Sequence, residues 1–269
     1  MSLADSEALL SLQQIQFSIQ SGRQEPLPIL QDIALQVGAG QVVVILGPNG
    51  AGKSSLLKVA SGEIQPQAGE VRLNQQQLST LSAPEKALQM AVLPQQSLLN
   101  FPFTVEDVVM LGRTPHNTGV AVDQEIVTAA LRSTDVHYLR EQIYTNLSGG
   151  EKQRVQLARV LAQVWRSEDL HQRLVILDEP TSALDYAHQQ MVAKLLRQRA
   201  AQGCAVLTAM HDLNLAAQCA DKLVLMRCGQ IFAQGTPDEV LQEALLQEVF
   251  QVAFHRVTHP QTGRPWLLC

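Results

Sequence analysis

Residues 41–62 read "QVVVILGPNGAGKSSLLKVASG", an apolar run, a glycine-rich loop and a helix-compatible stretch set end to end. The loop, Gly47-Pro48-Asn49-Gly50-Ala51-Gly52-Lys53-Ser54-Ser55, carries three glycines where regular structure would favour residues with side chains. Without Cβ atoms in the way, successive backbone N–H groups can converge on the oxygens of one anion. A helix opening directly after the loop adds its partial positive charge beneath that anion. The local cost of the glycines is therefore explained by a phosphate.

The spacing Gly47-x-x-x-x-Gly52-Lys53-Ser54 matches the P-loop pattern, and it has the required strand before it and helix after it. In that pattern Lys53 reaches the β- and γ-phosphates of a nucleotide, and the Ser54 hydroxyl binds Mg²⁺. "LVILDEP", residues 174–180, supplies the complementary half. An apolar strand ending in Asp178 puts one carboxylate near the magnesium, and Glu179 stands where it can accept a proton from an attacking water.

Working outward, short β-branched runs alternate with helix-sized segments: "QVVVIL" (41–46), "EVRL" (70–73), "QMAVLP" (89–94), "RLVILD" (173–178), "CAVLTAM" (204–210) and "DKLVLM" (221–226). Alternation of this kind indicates an α/β sheet of parallel strands, and runs that are nearly all apolar indicate strands covered on both faces. "QIFAQG" after Gly229 returns as an antiparallel partner of the last run. "SGRQEPLPIL" (21–30) reads as a loop closing before a strand. Between about Phe103 and Trp165 the period changes to helical, with helix-start signals at Thr104/Asp107 and Ser148/Glu151. The expected organisation is a β core over 1–102 and 166–240, a helical lobe inserted at 103–165, and a C-terminal extension at 241–269.

At 269 residues, with 46% hydrophobic and 17% charged residues, the chain has material for a substantial core. A net charge of -5 without a Lys/Arg cluster argues against a nucleic-acid partner. No apolar stretch approaches the roughly 18 residues of a membrane span. The acidic start "MSLADSEALL" does not resemble a signal peptide. Cys204, Cys219, Cys228 and Cys269 show no metal-ligand spacing, and they read as buried or incidental thiols of a reducing cytosol. The seven histidines show no zinc spacing either.

"LSGGEKQRVQLARVLA", residues 147–162, closely resembles the signature of ABC-transporter ATPases. Its serine and two glycines open a helix, which makes a second anion-facing surface in the same chain. Other motifs resemble the family's in order: Gln95 in "VLPQQS" the Q-loop glutamine, Ser182-Ala183-Leu184-Asp185 the D-loop, and His211 in "TAMHDLNLA" the switch histidine. The resemblance runs from about Leu12 to Val240. It implies a P-loop α/β fold with a mainly parallel sheet, an N-terminal antiparallel β part and an inserted helical subdomain. It also implies ATP and Mg²⁺ as ligands, with Ser54, Gln95 and Asp178 toward the metal and Glu179, His211 and Gln95 in catalysis. Ser148, Gly149, Gly150 and Asp185 would act across a head-to-tail dimer on the nucleotide of a second copy. Relatives often stack an N-terminal aromatic on adenine. Here Ile19 falls at that position with Phe17 two residues before, so either Phe17 substitutes or the adenine grip is looser.

The resemblance further implies the energy-coupling subunit of an importer. It would dock on a separate permease dimer at the cytoplasmic face of the membrane, with a periplasmic substrate-binding protein as an indirect partner. The rival class, a soluble ABC ATPase of translation or DNA repair, usually has two cassettes or a long coiled coil before the signature. This chain has one of each motif and only about 95 residues from Lys53 to Ser148. "VVMLGRTPH" (108–116), "LDEPTSALDYAHQQ" and the tail "THPQTGRP" are similar to the importer branch for iron chelates, haem and cobalamin. Within it, "WRSEDLHQR" (165–173) and Ser182-Ala183 resemble the haem subunits, with siderophore and cobalamin as the alternatives. His116, His255 and His259 read as solvated loop residues, not haem ligands.

Overall fold

The computed structural model describes residues 8–20, 25–95, 99–165, 172–260 and 262–268. Its centre is a six-stranded sheet built from β3 (Val42–Leu46), β6 (Met90–Leu93), β7 (Leu174–Asp178), β8 (Ala205–Ala209), β9 (Lys222–Arg227) and β10 (Gln230–Gly235). The strand order is β10-β9-β3-β8-β7-β6, parallel throughout except for β10, which turns back antiparallel on β9. The expected strands all form, with ends shifted by one or two residues. One was misplaced. "EVRL" lies in β4 (Ala68–Leu73), which belongs to a separate antiparallel sheet, β2-β1-β4-β5, with β1 (Leu10–Ile19), β2 (Leu27–Val37) and β5 (Gln76–Gln77). Its alternating burial marks it as a strand with one wet face, unlike the fully buried β3, β7 and β8. The stretch read as a loop at 21–30 is likewise a strand from Leu27 on, because Leu30 pairs with Phe17 of β1. Residues 21–24 lie outside the described set.

The central sheet separates two cores. Successive side chains on a strand point to opposite faces. Accordingly Val42, Val44 and Leu46 enter one core, while Val43 and Ile45 enter the other. β7 and β9 divide in the same way, Leu177 and Leu225 to the first, Ile176 and Val224 to the second. The antiparallel sheet and α1 (Lys53–Ser61) cover the second face. The first face is covered by α5 (Gly149–Gln163), α6 (Tyr186–Ala201), α7 (Leu213–Cys219) and α9 (Glu243–Phe250). Residues beyond 240 contribute Leu241, Leu246, Val249 and Leu267 to that same core, through α9 and a terminal hairpin of β11 (His255–Thr258) and β12 (Pro265–Leu268). Two short helices, α2 (Ala83–Gln89) and α8 (Pro237–Val240), start at capping boxes on Ser82 and Thr236.

Residues 104–163 hold α3 (Val105–Met110), α4 (Val120–Ser133) and α5 around a third core that includes Val108, Val127, Leu131 and Val155. Thr104 and Ser148 each close a capping box, so the chain's own side chains satisfy the first N–H groups of α3 and α5. α5 is shared: Leu157, Val160 and Leu161 pack on the sheet, and Val155 and Ala158 pack in the third core.

Arg113 ties these helices together from a site only 2% exposed, bonding Asp123 at 2.8 Å, Thr118 at 3.1 Å and the carbonyl of Ala162 at 2.7 Å. Removing one partner of a buried ion pair strands the other. Arg113→Ala is expected to lower stability by about 3–5 kcal/mol in denaturant titration.

Candidate functional site

Four neighbouring parallel strands deliver the candidate residues at their C-terminal ends, where open α/β sheets bind ligands. β3 runs into the Gly47–Ser55 loop, β8 leads to His211, β7 ends at Asp178 with Glu179 next, and β6 leads to Gln95. Adjacent strands lie about 4.8 Å apart. Sheet order β8-β7-β6 therefore sets Glu179 between His211 and Gln95, and both touch it. His211 Nε2 meets Glu179 Oε1 at 2.5 Å, and Gln95 Nε2 donates to Glu179 Oε2 at 3.3 Å. Glu179 itself has φ +53°, a backbone region that non-glycine residues seldom occupy and that clusters at functional sites.

The loop is shaped by its neighbours. A Cβ on Gly47, at φ +150°, would stand 2.4 Å from the Met226 carbonyl of β9. On Gly52, at φ +100°, it would stand 2.9 Å from the carbonyl of Ile29 in β2. Pro48, Asn49, Gly50 and Ala51 complete the turn, with Asn49 and Gly50 exposed and Ala51 buried. α1 begins at Lys53, so Lys53, Ser54 and Ser55 form its first turn. Lys53 is buried, and its Nζ donates to the carbonyls of Gly47 at 2.8 Å and Pro48 at 3.1 Å. Burial pulls its pKa down, and the charges of Glu179 and Asp178 oppose that shift.

Asp178 is the other buried charge. Burial pushes its carboxyl up, against the Ser54 hydroxyl bond and the Lys53 charge. Its Oδ1 is buried without a protein partner among the described residues. Ser54, Asp178 and Gln95 line one cavity of about 310 Å³. An orphaned carboxylate oxygen, a hydroxyl and an amide side chain on one cavity suit a hard divalent cation, which takes oxygen ligands. No group of three or more His, Cys, Asp or Glu side chains that could hold a metal occurs among the described residues.

The second anion-facing surface lies at the start of α5. Ser148 caps α5, its hydroxyl donating to Glu151 at 2.6 Å, and Gly149 and Gly150 form the first turn. A Cβ on Gly150 would stand 2.9 Å from the Ala183 carbonyl, so α5 approaches residues 182–185 closely. Asp185 caps α6 through the His188 N–H at 2.9 Å. Gln95 lines the cleft beside Gly149, Gln153 and Ala183 as well as the Asp178 cavity, and so borders both surfaces.

Gln153 was visible in the signature, but its connection was not. Its Nε2 donates to the Glu179 carbonyl at 2.8 Å, and its Oε1 accepts from the Ala183 N–H at 3.1 Å. One side chain of α5 thus fastens Glu179's own carbonyl and the backbone four residues further on. Sequence offers only its place in the motif, five residues past Ser148. At the N-terminal loop, Phe17 is partly buried against the second core and Ile19 is 49% exposed. Both lie on β1, and Phe17 pairs with Leu30, next to the Ile29 carbonyl that borders Gly52. The segment 166–171 and Gln96–Leu98 lie outside the described residues.

Fold and site are those of a P-loop nucleotide hydrolase. The sequence profile described as "ABC transporter" matches residues 30–182. The chain belongs to the ABC transporter family. It is 48% identical over 240 residues to a protein of Pseudomonas entomophila named hemin import ATP-binding protein HmuV, covering 89% of this chain and 93% of that one. A protein of the same name from Plesiomonas shigelloides is 44% identical, over 92% and 97% of the two chains. Among solved structures, an ABC transporter described as of metal-chelate type, in an inward-facing conformation, superposes with a TM-score of 0.78. It is 26% identical, with 97% of this chain and 96% of that one covered. A dimeric ATP-binding cassette bound to ADP and phosphate shares the fold at a TM-score of 0.75 and 22% identity, over 85% and 98%.

Because burial raises the folded pKa of Asp178, its ionised form is a stability cost that appears as pH rises through that pKa. Asp178→Asn is accordingly expected to raise the melting temperature of the nucleotide-free chain at neutral pH, while Mg²⁺-dependent ATP turnover is lost. Calorimetry and a phosphate-release assay read the two effects.

Proposed function

We propose that this chain hydrolyses ATP to drive the import of haem, acting as one of two identical cassettes beneath a separate membrane permease. The observation that carries the hydrolytic part is Glu179, clasped between His211 and Gln95 beside the Lys53 loop. The loop amides, the start of α1 and Lys53 hold the β- and γ-phosphates. Glu179 takes a proton from the water as its oxygen bonds to the γ-phosphorus and the bond to the β-phosphate oxygen breaks. His211 keeps the Glu179 carboxylate aimed and reaches the γ-phosphate, and Gln95 reports the state of the site to the helical segment. Mg²⁺, held by Ser54, Asp178 and Gln95, would neutralise phosphate charge. Adenine lies toward Phe17 and Ile19.

Ser148, Gly149, Gly150 and Asp185 serve the nucleotide of the second copy, whose own tips complete this chain's site. The two anion-facing surfaces stand on different elements of one chain, Ser148 opening α5 and the loop following β3, which fits that arrangement. Closure of the pair then commits the water to attack.

The cargo reading rests on relatives named for hemin import and on the metal-chelate type of the structural neighbour. No helix among the described residues is long and apolar enough to cross a membrane, which fits attachment through a permease. Phe103 and Leu111, exposed by 40% and 43%, line a groove with Asp107, Met110 and Thr114, and Phe101 packs its ring against Phe103. Such an apolar groove suits docking on the permease, with a periplasmic binding protein delivering cargo on the far side.

Glu179→Gln is expected to keep ATP binding and to lower turnover by roughly 100-fold or more. With ATP its apparent mass in size-exclusion chromatography should double. Wild-type turnover in this variant removes Glu179 from its role. Haem uptake by vesicles carrying the chain with its permease tests the cargo, and uptake of a siderophore or cobalamin in place of haem reassigns it.

A further inference from the structure

The terminal hairpin grips one helix of the site from both ends. α7 follows His211 almost at once: Asp212 is its cap, accepting from the N–H groups of Asn214 at 2.8 Å and Leu215 at 2.9 Å. In the first turn, the Asn214 side chain pairs with the backbone of β12 like a neighbouring strand. Its Nδ2 donates to the Leu267 carbonyl at 3.0 Å, and the Leu267 N–H donates to its Oδ1 at 2.8 Å. At the other end Arg264 Nη1 donates to the carbonyls of Ala217 at 2.8 Å, Gln218 at 2.8 Å and Ala220 at 3.1 Å. These are terminal carbonyls that a helix leaves without partners, and a cation there also suits the helix dipole.

A helix of seven residues is too short to hold its own position. Its register relative to the sheet is set by what it packs on. Leu215 and Ala216 share the first core with Leu267. Only Met210, His211 and Asp212 separate β8 from α7, and the Met210 N–H is fixed to the Ile45 carbonyl at 3.1 Å. With one end pinned on the sheet, the angle at which His211 meets Glu179 follows the placement of α7. We propose that the C-terminal hairpin is the positioning element for His211, with Asn214 and Arg264 as its positioning residues. It sets the His211–Glu179 contact without touching nucleotide, and the inference rests on the role of His211 given under Proposed function.

The same hairpin is tied to α8 and α9 by a second set of bonds. Arg256 pairs with Asp238 through its guanidinium and bonds Glu243 through its N–H at 2.6 Å. That set provides an internal control. Steady-state ATP hydrolysis by the full-length chain, with Mg²⁺ and varied ATP, separates kcat from KM. Asn214→Ala and Arg264→Ala are expected to lower kcat roughly tenfold with KM within about twofold, as displacement of a catalytic group costs up to about 100-fold. Arg256→Ala, which removes the guanidinium bonds to Asp238 and keeps the backbone N–H bond to Glu243, is expected to leave kcat within about twofold. Arg264→Lys, which keeps a cation at the end of α7 with fewer fixed donors, gives a milder form of the split if either alanine variant does not fold. Wild-type kcat in folded Asn214 and Arg264 variants overturns the proposal, and so does an equal fall in Arg256→Ala. His211→Ala serves as the reference: full activity there removes the assignment of His211 itself, and this inference with it.

Discussion

The arrangement depends on one constraint: β7 is hydrogen-bonded between β8 and β6. The acid that ends β7 then has neighbours on each side at strand spacing, a histidine from beyond β8 and a glutamine from beyond β6. The left-handed turn at Glu179 lifts its side chain out of the strand's line and between them. Asp178, one residue earlier, still ends the strand and stays buried beside Ser54. Two consecutive carboxylates are thereby given different surroundings, one with an orphaned oxygen and pushed up by burial, the other held by two partners.

Around that turn, α5 joins energy and motion. It contributes apolar residues to the sheet core and to the helical core, and its Gln153 grips the backbone at Glu179 and again at Ala183. A further polar chain runs from Tyr144 through Gln156 to Arg159, all at or below the surface between α5 and β6. Packed interiors shift between discrete arrangements and do not deform smoothly. Rotation of the helical segment therefore moves the Glu179 turn or breaks the Gln153 bonds, and either one changes the site.

Much of this was legible in the sequence because it is local. The phosphate loop, the capping boxes at Thr104 and Ser148, and the all-apolar strands each depend on a few consecutive residues whose geometry follows from their own chemistry. The strand pattern failed where it was asked for neighbours. "EVRL" groups with the central strands, yet it pairs with β1 in another sheet, and "SGRQEPLPIL" reads as a loop, yet its last four residues belong to a strand that pairs with β1 as well. Pairing partners are not written in either segment.

What the sequence determined by itself was the kind of chemistry: an anion cradle at residues 47–55, a carboxylate pair ending a buried strand, and a second helix tip prepared for an anion. Strand order, the contacts of Glu179 with His211 and Gln95, the two-ended hold of Gln153, and the clamp of the terminal hairpin on α7 were decided only by tertiary structure. Each joins residues tens to hundreds of positions apart, brought together by burial of the two sheet faces. Burial depends on the whole set of apolar side chains, whereas a motif depends only on its own.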